Sequence, residues 1–86
     1  MPLCPDFLIE LRSPSAPLAP IEAKMLEYME NGARLGWLID PVEQKVYIHK
    51  PGGEPVEVLN KPDSVSGDPM LPGFVLDLKP IWEPDL

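Results

Sequence analysis

Apolar residues come along this chain in short runs, and the spacing inside each run sets the element it predicts. Phe7-Leu8-Ile9-Glu10-Leu11-Arg12 is short, and its length suits a strand. Alternation puts Phe7, Ile9 and Leu11 on one face and Leu8, Glu10 and Arg12 on the other. Ser13-Pro14-Ser15 ends the run, and residues 13–20 read as a loop holding three prolines and two serines. From Ile21 the spacing becomes helical, with Ile21, Met25, Tyr28 and Met29 on one stripe and Leu26 beside it. Pro20 suits the first turn, where a missing N–H leaves no helical acceptor unpaired. Asn31-Gly32 is a C-terminal stop. The spacing therefore predicts a helix over 20–30.

The rest of the pattern is extended. Leu35-Gly36-Trp37-Leu38-Ile39-Asp40 reads as a buried strand stopped at Asp40-Pro41. Lys45 to Lys50 alternates, with Val46 and Ile48 opposite Lys45, Tyr47 and His49. Pro51-Gly52-Gly53-Glu54 is a turn from which Val56-Glu57-Val58-Leu59 returns as a hairpin partner. Residues 60–67 read as loop, and 71–78 as one more short extended stretch. Lys79-Pro80-Ile81-Trp82 then stands ready to close over the core. Strand, helix, strand, hairpin and short strand make a mixed α/β domain with one main helix packed on a sheet.

Composition narrows the picture. Eighty-six residues form one small domain, and a chain of this size buries only about 60% of the surface its unfolded form exposes. Thirteen prolines are far above the usual ~5% and fit short elements joined by stiff turns. No apolar run approaches membrane-spanning length, and no basic-then-apolar leader is visible after Met1. The single cysteine, Cys4, excludes an internal disulfide; with the missing leader, it leads us to expect a cytoplasmic protein. Seven basic residues face fourteen acidic ones, for a net charge of −7. Affinity for nucleic acid comes mainly from Lys and Arg neutralising phosphates. The basic residues here are spread singly, so charge argues against a free-standing DNA-binding module.

Few residues are placed for chemistry. Glu10 sits inside an apolar strand: it is either a solvated group on a surface strand or a carboxylate held by a partner or a metal. Lys24 borders the apolar stripe of the helix, where it either snorkels along the helix or reaches toward the strand carrying Glu10. His49 is the only histidine and reads as a surface residue. With no second histidine or cysteine at ligand spacing, zinc is not expected. Asp40, at a strand end, stands out no further.

Taken in series, these residues resemble a known family. Pro5-Asp6-Phe7-Leu8-Ile9-Glu10-Leu11-Arg12-Ser13-Pro14-Ser15, the helix from Lys24 to Ala33 with Tyr28 and Gly32, Leu35-Gly36-Trp37-Leu38-Ile39-Asp40-Pro41, and Leu71-Pro72-Gly73-Phe74 onward are similar, in order and spacing, to the Uma-two family of restriction-endonuclease-like proteins. The resemblance implies a partial restriction-endonuclease-like fold of the PD-(D/E)XK superfamily. In such sites an Asp on one strand and a Glu on the next hold Mg²⁺, which activates water for attack on phosphate, and a Lys stabilises the developing charge. By position, Glu10 matches the metal-binding Glu, Arg12 stands where the motif Lys usually does, and Lys24 matches a Lys moved onto the helix. The family's Asp lies on a strand before the one carrying Glu10. Asp6 does not replace it, since four residues of strand span about 13 Å.

These residues therefore lead us to expect a truncated single domain over 1–86 that binds Mg²⁺ weakly or not at all by itself. It would be inactive unless another segment or subunit supplies the Asp. An acidic, non-catalytic interaction or dimerisation module is the alternative. A strand with its upstream neighbours missing leaves an open apolar edge, so we expect a homodimer.

Overall fold

The computed structural model describes residues 4–52 and 55–84, so part of the expected turn, Gly53 and Glu54, lies outside the described residues. The elements in chain order are β1 (Phe7–Leu11), α1 (Leu18–Glu30), β2 (Leu35–Asp40), β3 (Lys45–His49), β4 (Glu57–Asn60), β5 (Ser64–Ser66), β6 (Val75–Asp77) and α2 (Lys79–Trp82). The first four strands form one sheet in the order β1-β2-β3-β4, and β5 pairs with β6 separately. β1 and β2 run parallel, and α1 makes the crossover between them that a parallel pair requires. β2–β3 and β3–β4 are antiparallel hairpins. The mixed α/β architecture, with one main helix and a mixed sheet, is the one the pattern predicts.

The sheet is covered on both sides, which is why every residue of β2 is buried. On one side lies α1, whose Met25 is fully buried. The helix comes close because Gly36 has no side chain: a Cβ there would stand 2.8 Å from Met25 Cε and 3.0 Å from Met29 Cε. On the other side, Leu35, Trp37 and Ile39 of β2 join Val46 and Ile48 of β3 in a core closed by Val65, Leu78 and Trp82. Trp82, on α2, donates its indole N–H to the Pro62 carbonyl at 2.6 Å. The C-terminal segment thus closes over the core as its composition suggests.

Two boundaries differ from the pattern. α1 begins at Leu18, not at 20, with Pro17 as its N-cap in an extended conformation. Pro20 still falls in the first turn, where backbone N–H groups have no intrahelical acceptor, so the helix accommodates it. Leu18-Ala19-Pro20 carries no apolar period, which hides that turn from a periodicity argument. At the other end Gly32, with φ of +107°, makes a Schellman cap: Ala33 N–H donates to the Tyr28 carbonyl at 3.0 Å and Gly32 N–H to Met29 at 3.4 Å. The second difference is β5, a strand of three residues inside the expected loop. It exists through pairing with β6, and the stretch before β6 is a turn in which Phe74 N–H donates to Leu71.

Candidate functional site

β1 places Glu10 on the face that also carries Leu8, and α1 brings Lys24 over from the helix. Their side chains meet: Lys24 Nζ lies 3.0 Å from Glu10 Oε1, with side-chain exposures of 54% and 29%. The ammonium also sits 5.8 Å from the centroid of the Tyr28 ring, one helical turn away. The hydrogen bond that Lys24 donates to Glu10, followed by the charge of Glu10 and that of Tyr28, raises the Lys24 pKa above its usual value against an opposing effect of burial. Of the two readings the sequence allowed for Lys24, the structure thus takes the one in which it reaches the strand carrying Glu10.

A pair this open to solvent is worth little in stability. In a double-mutant cycle of Glu10→Ala and Lys24→Met by urea unfolding, we expect a coupling of about 0.2–1 kcal/mol, weakened by salt. A coupling of several kcal/mol would mean that the pair is a structural bolt and not an accessible site.

Arg12 does something different. Its Nη1 lies 2.9 Å from Asp40 Oδ2 and 3.7 Å from Glu43 Oε2, while its Nε donates to the Ala16 carbonyl at 2.8 Å. Asp40 is wholly buried, and its Oδ1 accepts the backbone N–H of Val42 at 2.9 Å and of Glu43 at 3.2 Å. One carboxylate thus anchors the β2–β3 turn and the guanidinium that braces the loop leading to α1. Sequence reasoning passed over Asp40. The usable signal was parallel register: Leu11 pairs with Ile39, so the next positions along, Arg12 and Asp40, lie side by side.

His49 corrects a second reading. It is 4% exposed, not a surface residue, because its face of β3 is covered. Its Nε2 has no hydrogen-bond partner among the described residues. Burial lowers its pKa from the ordinary 6.5, with the charge of Glu22 opposing that shift. In the unfolded chain the ring titrates near 6.5, so above that pH both states are neutral and the fold keeps its full stability. As pH falls through 6.5 the unfolded state takes up a proton that the native state resists, and stability declines. Chemical denaturation across this range should show that decline in the wild type and a flatter profile in His49→Leu; identical slopes would exclude His49 as the cause.

The nuclease-type site implied by the family resemblance contains Mg²⁺, and the residues of one chain do not fit it. Glu10 faces an ammonium, and both oxygens of Asp40 are taken by Arg12 and by backbone N–H groups. Among the described residues no group of three or more His, Cys, Asp or Glu is arranged to hold a metal ion.

Comparison with known proteins places this geometry in a class. The structure resembles the crystal structure of "a putative nuclease belonging to DUF820" from Anabaena variabilis with a TM-score of 0.74 and 31% identity, over 90% of this chain and 43% of that one. This is a nuclease-like fold, and the chain spans less than half the length of that protein. The family model Uma2, described as "Putative restriction endonuclease", matches residues 1–79, and the chain belongs to that family. No curated protein matches it. None of the helices in the described residues is long and apolar enough to cross a membrane.

Proposed function

We propose that this chain is one part of a restriction-endonuclease-like phosphodiester hydrolase, contributing Glu10 and Lys24 to a site that a further carboxylate completes. The observation that supports this reading is the 3.0 Å contact between Glu10 and Lys24 across the strand–helix junction, in a member of a restriction-endonuclease family. In this reading Lys24 is the cation presented to a phosphate oxygen. Arg12, expected by motif position as a third catalytic residue, instead braces the loop that sets the phase of α1. One carboxylate is too few for Mg²⁺ to be gripped firmly, so a single chain is inert. With a net charge of −7 and few phosphate contacts, its affinity for duplex DNA is low and depends only weakly on salt.

The test is plasmid cleavage in Mg²⁺ or Mn²⁺ as a function of chain concentration. We expect no cleavage at concentrations where the chain is monomeric. Cleavage that appears on association should vanish in Glu10→Gln and drop about a hundredfold or more in Lys24→Ala, the usual effect of removing one charge-stabilising group. Cleavage by the monomer, or cleavage indifferent to both substitutions, would sink the reading. An assembled chain that never cleaves would favour the second reading, an acidic interaction module for a basic partner. The observation behind that alternative is the excess of fourteen acidic over seven basic residues.

A further inference from the structure

Glu22 and Lys24 leave α1 in different directions, because two residues of helix turn through about 200°. Lys24 reaches Glu10 on the β1 flank at 3.0 Å. Glu22, half-buried, turns to the β3 flank, where its charge is felt by both Tyr47 and His49. Leu8, Gly36 and His49 form one row across the sheet. That row lies under the helix, since a Cβ at Gly36 would meet Met25 Cε at 2.8 Å and Met29 Cε at 3.0 Å. His49 is thus held beneath α1, with its Nε2 buried and without a hydrogen-bond partner among the described residues.

We propose that protonation of His49 rolls α1 about its own axis, drawing Glu22 down to the imidazolium and lifting Lys24 away from Glu10. The driving force is the cost of a charged ring whose N–H meets neither water nor an acceptor. Glu22 is the carboxylate placed to relieve it. β2 presents Gly36 beside the ring, and Asp40 further along β2 is taken by Arg12. Glu57 of β4 stands opposite Ile48, so it lies on the other face of the sheet. On β3 itself Tyr47 and Lys45 share the face of His49, and Lys45 lies toward Glu43 at 3.9 Å. Glu27 and Glu30 of α1 and Lys50 after β3 are exposed.

Little resists the turn. Met25 is the buried residue of α1, and its N-cap, Pro17, makes no side-chain hydrogen bond. Unbranched methionine side chains repack around a shifted neighbour more readily than branched ones. The Lys24–Glu10 pair is open to solvent and costs little to part. Burial sets the sense of the device, because it holds the folded ring below its ordinary 6.5. Above that depressed midpoint the ring is neutral and the pair is closed; below it the pair is open. The roll does not rest on the hydrolase reading. Under that reading, Lys24 and Glu10 are assembled only while His49 is neutral.

The test is an NMR titration of the whole chain, in which His49 is the one histidine and its ring signals are identified by type. As pH falls, the side-chain Cε signals of Lys24 should shift with the midpoint of the imidazole. Glu22→Gln should lower that midpoint and abolish the response of Lys24. Glu10→Ala separates a mechanical link from simple electrostatics. Loss of a negative charge alone lowers the His49 midpoint, whereas a helix freed to roll raises it. We expect the rise. Lys24 signals that stay flat through the imidazole midpoint overturn the proposal, as does a response that survives Glu22→Gln or a midpoint that falls in Glu10→Ala. Loss of the folded amide spectrum before the ring titrates also overturns it, since the proton then unfolds the domain instead of turning the helix. The cleavage assay tests the half-site reading separately.

Discussion

Asp40→Ala should destabilise this fold by about 3–5 kcal/mol, the usual cost of leaving a buried charge without its partner. Asp40 is fully buried and the Arg12 side chain only 13% exposed, so removal of the carboxylate strands the guanidinium where little water reaches it. Two backbone N–H groups, of Val42 and Glu43, lose their acceptor at the same stroke. A domain of this length holds a total stability of about 4–13 kcal/mol, so the change takes a large part of it. The double change Asp40→Leu with Arg12→Met should do less harm than Asp40→Ala alone, since it removes the stranded charge as well. Urea unfolding at fixed protein concentration measures both. An Asp40→Ala midpoint close to the wild type would mean that Arg12 finds solvent or Glu43 instead, and that the pair is peripheral.

The same substitutions separate framework from site. Arg12 also holds the Ala16 carbonyl, just before the helix that carries Lys24. Its loss should loosen the loop that fixes the phase of α1, whereas loss of Lys24 should leave the fold almost untouched. The two basic residues named together by motif position are thus distinguishable by what each removal does to unfolding.

How far the sequence alone could go depended on which contacts are local. β1, α1, β2 and the β3–β4 hairpin each carry a period or a turn signal, and those elements stand where the pattern puts them, apart from the first turn of α1. The mixed sheet follows from the strand–helix–strand order. β5 was hidden because a three-residue Ser-Val-Ser segment is too short to carry a readable alternation and depends on partners nine or more residues away. His49 was misjudged for a related reason: its strand alternates as a half-exposed one does, and only the position of α1 covers the second face. Glu10 and Lys24 were legible as candidates from their misfit with apolar surroundings. Their meeting was one of two readings open for Lys24, because the strand–loop–helix connection folds the helix back on the sheet; the Arg12–Asp40 pair needed the parallel register that the fold supplies.

Trp37 carries the other large expectation. It is fully buried at the centre of β2, stacked on Phe74 with centroids 5.9 Å apart and planes within 10°, and met edge-on by Phe7 at 4.9 Å. It therefore joins the sheet to the C-terminal layer, and Trp37→Ala opens a cavity between two layers whose backbones cannot easily collapse on it. Such truncations cost about 3–5 kcal/mol, and in a domain this small the variant should be largely unfolded at ambient temperature. Trp37→Phe should be far milder for a specific reason. The Trp37 indole N–H has no acceptor among the described residues, so phenylalanine gives up volume but also removes a buried, unsatisfied donor, and the second effect offsets part of the first. Thermal unfolding followed by far-ultraviolet circular dichroism should thus rank wild type and Trp37→Phe close together, with Trp37→Ala well below. If phenylalanine proved as damaging as alanine, the indole N–H would have an acceptor after all, and the packing account of this position would be wrong.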